Sequence, residues 1–386
     1  MLAILLLLQS PSADVVVTGK RLAEAHAACV RGGCMPLRDA QASVAFAEAQ
    51  FLKGDYYAAK RTLAAAVARN RARAKMDPKP VAALYEAYAT VLLHDGDVER
   101  YRRAAMMQLR TLRDNLPADD PAALDALLVR GDMLIALGDH PAAEDAFRSA
   151  DKRLAELGRG DLAMLAAMKR VWAVAAQGER GRAERMLDEL GRRPAATAPG
   201  FGLGLRVLRL RITARSGDGA AAEALAREIG QEQGASPALL WSPPFRPDAA
   251  AAARRDARRL GEADLVYGES SASPAYQWAD IGYWIRPDGR TGEAEVLRGS
   301  RSRPWARAVL AQIAGRRYAP RPTGGDDRRG GVYRVERFTQ RARYVVLAGS
   351  LILRRVPVDG FETLDLTQAA APPPERETGR PVEADN

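Results

Sequence analysis

Histidine is nearly absent from this chain: His26, His94 and His140 are the only 3 in 386 residues, and they are scattered. A metal centre or a histidine-based catalytic group therefore has little material to draw on. Cysteine is scarcer still, with 2 residues, Cys29 and Cys34. Long apolar runs are missing too. Beyond the first residues no segment offers the roughly 20 apolar positions that a membrane helix needs, so no membrane span is expected in the mature protein. Lysine adds little to the formal net charge of +10, which arginine carries almost wholly. The arginines are spread at helix-surface spacing with acidic residues among them, which describes solvated helix faces rather than a nucleic-acid stripe. No phosphate-cradling glycine loop precedes a helix, and neither a nucleophile motif nor metal-ligand spacing occurs. Gly324-Gly325 and Gly330-Gly331 are loop glycines beside arginines, weak as anion sites. No enzymatic activity and no cofactor are expected.

What is present begins with an apolar leader. Residues 1–13 read Met-Leu-Ala-Ile-Leu-Leu-Leu-Leu-Gln-Ser-Pro-Ser-Ala. The run is too short for an anchor and fits the apolar part of a secretory signal, with small residues after it. It has no basic residue before it, which a start codon placed too far downstream would explain. Export, with a periplasmic destination, is the expectation. Residues 14–40 then read as an extended N-terminal segment, because Val15, Val16 and Val17 are consecutive β-branched residues between Asp14 and Gly19. It ends in Cys29-Val30-Arg31-Gly32-Gly33-Cys34, whose two glycines can bring the sulfurs together. A disulfide is expected there in an oxidising compartment. A redox-active pair is more often spaced by two residues, and zinc needs further ligands of which only His26 is near.

Residues 41–232 carry an internal repeat. Its clearest copy is Gly138-Asp139-His140-Pro141-Ala142-Ala143, and related copies centre on Gly54, Gly96, Gly178 and Gly217, at intervals of 42, 42, 40 and 39 residues. Such a period means stacked supersecondary units. Each copy reads as a helix pair. The glycine ends the first helix in a left-handed conformation, and the aspartate beside it (Asp55, Asp97, Asp139, Asp218) caps the second. Ala47 and Ala59 are placed where helices cross closely, and Leu63 and Ala66 continue a buried face. These landmarks resemble the tetratricopeptide repeat family, where an aromatic stands two residues past the glycine. Tyr56 matches that aromatic, and His140 replaces it in the third copy. The family's unit is about 34 residues, so the longer interval implies longer helices or loops, expected at Pro78-Lys79-Pro80 and Pro117 to Pro121. The resemblance implies a concave surface for a peptide or protein.

Residues 233–275 read as a linker with a capping helix over 248–260. From 276 to 346 the period alternates: a strand around Ile281, Tyr283 and Ile285, the turn Pro287-Asp288-Gly289, a strand from Thr291 to Arg298, a helix from Pro304 to Ala314, and a strand from Val332 to Phe338. The order packs one helix on a small antiparallel sheet. This order, with Pro287-Asp288-Gly289-Arg290, Glu295-Val296-Leu297-Arg298-Gly299-Ser300, Pro304-Trp305-Ala306-Arg307-Ala308-Val309 and Tyr318-Ala319-Pro320, resembles the C-terminal domain of TonB-type energy transducers over about 70 residues. The resemblance implies that the last strand, here Val332, Tyr333, Arg334 and Val335, offers an open edge to an extended segment of an envelope partner. Residues 347–369 are read as added strands that would cover that edge, and 370–386 as a disordered tail. Asp14-Val15-Val16-Val17-Thr18-Gly19 resembles the extended segment such a domain pairs with.

The fold class is thus mainly α, a helical-hairpin solenoid followed by a small α+β domain. The expected function is an exported, non-enzymatic interaction scaffold. Its partner would be an envelope protein, such as an outer-membrane TonB-dependent receptor or another TonB-type domain, and not nucleic acid. The chain shows neither the membrane helix nor the long proline-rich span of transducers, so the fold and the edge-pairing habit are expected rather than energy transduction. The alternatives are a transducer component for outer-membrane transport, or a cytosolic basic repeat protein that binds nucleic acid or a regulator.

Overall fold

The computed structural model describes residues 19–215, 219–230, 239–245, 276–301, 303, 305–320, 331–346 and 352–367. The leader, Val15 to Val17, the Gly217 landmark, the helix expected over 248–260 and the tail lie outside them.

Helices come first: α1 (Gly19–Arg31), α2 (Pro36–Leu52), α3 (Tyr56–Asn70), α4 (Pro78–Asp95), α5 (Val98–Asn115), α6 (Pro121–Ala136), α7 (His140–Glu156), α8 (Gly160–Ala176), α9 (Arg180–Gly191), α10 (Pro199–Arg215) and α11 (Gly219–Gly230). The span expected to be extended, 14–40, instead holds α1 and the start of α2. Small and apolar residues recur at helical spacing through Leu22-Ala23-Glu24-Ala25-His26-Ala27-Ala28-Cys29, and they outweigh the β-branched stretch before Gly19. Cys29 and Cys34 form a disulfide across the α1–α2 turn, where Gly32 and Gly33 take φ of 120° and 106°.

Four of the repeat glycines do what their spacing implies. Gly54, Gly96, Gly138 and Gly178 have φ of 84°, 83°, 76° and 88° and end α2, α4, α6 and α8. Asp55, Asp97 and Asp139 accept from the backbone N–H of Ala58, Arg100 and Ala142 at 2.9, 3.1 and 3.2 Å. In the fourth copy Glu179 holds the cap position and its side chain makes no cap bond. The long period comes from both sources: α2 to α8 run 15 to 18 residues, and loops at 71–77 and 116–120 lead into Pro78 and Pro121. Buried Ala47 and Ala59 sit at the α2–α3 crossing. At the α6–α7 crossing a Cβ on Gly131 would overlap the Phe147 ring. One apolar core runs through α4 to α8 and a second through α8 to α10.

The C-terminal part contains β1 (Leu239–Trp241), β2 (Trp278–Ile285), β3 (Thr291–Gly299), α12 (Ala306–Ala314), β4 (Arg317–Tyr318), β5 (Val332–Val346) and β6 (Leu353–Asp365). Strands β3-β2-β5-β6, in that order, make an antiparallel sheet. Alternation sends Ala279, Ile281, Tyr283 and Ile285 of β2 to one face, where they pack with Trp305, Val309 and Ile313 at α12. On that face Arg316 Nη1 donates to Glu336 Oε2 at 2.6 Å and to the Tyr283 hydroxyl at 2.8 Å, so the buried charge is both paired and bonded. The short β1, in the span read as a linker, pairs with β4. Its Leu240 packs with Ala319 on Leu210 of α10 and Ile229 of α11. The sheet's other face meets the first two hairpins, so the α/β part touches both ends of the array.

Candidate functional site

The opposite face of the sheet carries Trp278, Asp280, Gly282 and Trp284 from β2, with Arg337 and Thr339 from β5. Half of it is buried on the array. Arg337 is the centre of that half, fully buried in the strand expected from Val332 to Phe338. Its Nε donates to Asp280 Oδ1 at 2.6 Å and its Nη2 to Asp280 Oδ2 at 2.9 Å. The fork continues to α2: Nη1 donates to the Phe51 carbonyl and Nη2 to the Leu52 carbonyl, the latter at 2.7 Å. Those are C-terminal carbonyls of a helix, which lack intrahelical donors and sit at the negative end of its dipole. The guanidinium also lies 4.1 Å from the centroid of the Trp278 ring and 5.4 Å from that of Phe51. An arginine of the sheet therefore caps a helix of the array.

The same arrangement recurs one repeat later. Arg355 of β6 donates from Nε to the carbonyl of Asp95, the last residue of α4, at 2.8 Å, and stacks over Tyr276 at 4.4 Å. The Asp95 carboxylate accepts from Lys60 at 2.6 Å, from Tyr344 at 3.1 Å and from Tyr276. The glycines after these two helices are where the sheet comes closest. A Cβ on Gly54 would meet the Trp278 ring at 2.5 Å, and one on Gly96 would overlap the Ala342 carbonyl; at Gly138 and Gly178 nothing lies within 4 Å. Successive copies of one sequence motif thus divide into two that hold the sheet and two that stand clear of it.

Between these anchors Thr339 Oγ1 is bonded to the Tyr56 hydroxyl at 2.7 Å and to His94 Nδ1 at 3.0 Å. Burial holds the Tyr56 hydroxyl up at about 12. His94 is driven down to about 3, first by burial and then by the Arg337 charge. Its folded form stays neutral while the unfolded chain takes a proton near 6.5, so stability is complete above that pH and falls as the pH drops toward 3. The expected slope is about 1.4 kcal/mol per pH unit. Urea unfolding of the native chain and of His94→Gln between pH 7 and 5, above the main carboxylate range, should show the variant losing less stability on acidification. Parallel pH profiles would remove His94 from the account.

The pairing residues expected from sequence are placed differently. Val332, Tyr333, Arg334 and Val335 do form the start of β5, but β5 is an inner strand. They pair with Ile285, Trp284, Tyr283 and Gly282 on one side. On the other, β6 runs alongside from Asp365, and Leu366 N–H and Thr367 Oγ1 take the carbonyl and N–H of Val335. Only Tyr333, by alternation, is left to point its backbone groups past the end of β6, too short a stretch for an added strand. The reason is the length of β6, 13 residues, which runs along β5 from Val346 to Glu336. The sheet's edges are β3 and the outer side of β6. Strand β3 is interrupted by register shifts against β2, with Glu293 at φ of 54°, and β6 carries Pro357 and a register shift against β5. Bulges of this kind oppose further strand addition.

The other half of the sheet face stays in solvent. Trp284 is 38% and Leu297 46% exposed. The Trp284 and Tyr333 rings lie 5.1 Å apart. Gly282 leaves room between them, since a Cβ there would run into the Tyr333 hydroxyl and touch Leu297. Sequence alternation predicted these strands but not which half of their outer face the array would cover.

No family model and no curated protein matches the chain. Solved helical-repeat structures are similar to it in backbone. A kinesin light chain of Podosopora anserina with nearly identical TPR-like repeats is 16% identical, with TM-score 0.39, over 50% of this chain and 94% of its own. The Rap conjugation gene regulator of plasmid pLS20, solved with the Phr* peptide, is 14% identical, with TM-score 0.38, over 67% and 63%. BtubC of P. vanneervenii is 14% identical, with TM-score 0.41, over 68% and 97%. These are likenesses of repeat arrangement at low identity, and the helical-hairpin assignment here rests on the chain's own helix pairs, turn glycines and caps.

Proposed function

We propose that the chain is an exported protein–protein interaction scaffold of the cell envelope, in which the helical array fixes the α/β sheet and the exposed half of the sheet face holds a protein partner. The division of that face carries the reading: Asp280 and Arg337 are buried and Trp278 is partly buried against the array, while Trp284 and Leu297, beside the half-buried Tyr333, continue the same face into solvent. Clustered Trp and Tyr beside an aliphatic residue have the composition of interface hot spots. The register shifts in both edge strands, β3 and β6, favour recognition by side chains over strand addition. Export is supported by the leader and by the Cys29–Cys34 disulfide, which an oxidising compartment preserves.

A photo-crosslinking residue at Leu297, with one at exposed Arg148 of α7 as control, tests this in the native envelope. An adduct to a single envelope polypeptide is expected from Leu297 and not from Arg148. Trp284→Ala should reduce it by about 30-fold or more, as truncation of a hot-spot aromatic does. Equal yields from both sites, or an adduct insensitive to Trp284→Ala, would sink the reading.

A further inference from the structure

The two rims of the first hairpins differ in character. One carries the turns at Gly54 and Gly96, on which the sheet rests. The other lies at the far end of α2, roughly 25 Å away for a helix of 17 residues. There the α1–α2 turn meets the connection between α3 and α4. Asp39, in the first turn of α2, fastens the two by accepting from Arg69 at 2.8 Å and from Asn70 at 2.6 Å, at the end of α3. Four aliphatic side chains are exposed along this rim: Val30 by 48%, Met35 by 64%, Leu37 by 45% and Met76 by 75%. Exposed cations stand among them, Arg31 and Arg38 beside the turn and Arg71, Arg73 and Lys75 on the connection. None of these cations has an ion pair among the described residues. Of the carboxylates nearby, Asp39 is buried and already bonded, Asp77 is half-buried, and Asp120 is taken by Lys79 at 2.9 Å. Arg38 lies in the first turn of α2, where the helix dipole disfavours a cation, so the helix gains nothing from its charge.

We propose that this rim of the array is a peripheral lipid-contacting surface, which lays its aliphatic side chains into the interface of an anionic membrane while the cations among them meet headgroup phosphates. Exposed apolar groups gathered in one place mark a surface that meets a partner. Two observations choose lipid. The exposed apolar groups here are aliphatic, without the Trp and Tyr that mark protein hot spots. Unpaired cations interleaved with them match the potential of an anionic leaflet, where apolar burial and charge attraction act together. The rim is firm: the Cys29–Cys34 disulfide closes the α1–α2 turn, and Asp39 ties α2 to α3. Trp278 of the sheet meets Gly54 at the opposite end of α2, so the lipid surface and the sheet face do not compete for space.

Sedimentation of the chain freed of its apolar leader, beginning at Asp14, with vesicles of phosphatidylglycerol and phosphatidylethanolamine or of phosphatidylcholine alone, tests the proposal. Binding is expected to the anionic vesicles and should weaken as salt rises. It should fall about tenfold or more in Met35→Ser/Leu37→Ser/Met76→Ser and in Arg38→Gln/Arg71→Gln/Arg73→Gln, each with an unchanged unfolding midpoint. Arg102→Gln/Arg185→Gln/Arg307→Gln removes the same charge from exposed positions elsewhere and should bind like the native chain. Equal loss in that control, or native binding by the serine variant, would overturn the proposal, because net charge alone would then suffice. An environment-sensitive fluorophore in place of Met76 gives an independent reading. Its emission should shift to the blue with anionic vesicles, and an unshifted spectrum would also overturn the proposal. So would rim-dependent binding to envelope vesicles that disappears when their proteins are digested, which would assign the rim to a protein.

Discussion

Arg337→Met is expected to destabilise the protein by about 3–5 kcal/mol, the range found when one partner of a buried ion pair is removed. The loss has three parts. Asp280, 2% exposed, keeps only Arg298, whose Nε lies 2.6 Å away and whose side chain is half in solvent. The Leu52 carbonyl of α2 loses the Arg337 fork, the Phe51 carbonyl keeps only the Gly54 N–H, and the cation stacked on Trp278 disappears. Arg337→Lys should rescue little, since one ammonium group cannot reproduce a fork shared between a carboxylate and two carbonyls. The reference is Arg341→Met, which removes an exposed pair with Glu362 and should cost less than about 1 kcal/mol. Because the lost contacts join the sheet to the array, the unfolding curve of Arg337→Met should separate into two transitions. A single transition with a shift as small as that of Arg341→Met would contradict this role.

The second large effect separates glycines that look alike in sequence. Gly138→Ala should cost about 1–2 kcal/mol, the penalty for a Cβ in the left-handed region. Gly96→Ala carries the same penalty at almost the same φ, and in addition places its Cβ on the Ala342 backbone. Overpacking of that kind adds about 1–3 kcal/mol, and the obstacle is main chain that cannot rotate away. Gly54→Ala should fall between the two, because the Trp278 ring in its path is a side chain. Thermal unfolding of the three variants should therefore rank Gly96 below Gly54 below Gly138. Equal shifts would mean that the sheet does not rest on these turns.

Those glycines also show how far the sequence was legible. Their period, the aspartates beside them and the alanines at the crossings are local signals, each tied to one backbone conformation or one close approach, and they gave the helical hairpins. The strand, strand, helix, strand order was legible for the same reason. What joins the two parts was not. Arg337 meets Phe51 across 286 positions and Arg355 meets Asp95 across 260, and no spacing rule connects residues so far apart. Tyr56 illustrates the limit: it was identified as the repeat's aromatic, while its hydroxyl bond to Thr339 belongs to the junction. The pairing role assigned to Val332, Tyr333, Arg334 and Val335 depended on β5 being an edge, which the length of β6 decides. Helix α1 was missed because three valines before Gly19 spoke more strongly for extension than the alanines after it did for a helix.

Seating of the sheet on the first two hairpins is tested most directly by hydrogen exchange at the four equivalent turns. In the native chain the amides of Gly54 to Tyr56 and Gly96 to Val98, under Trp278 and Ala342, should exchange more slowly than those of Gly138 to His140 and Gly178 to Arg180. In Arg337→Met the difference should disappear while exchange within α6 to α9 is unchanged. Equal rates at all four turns of the native chain would contradict the account.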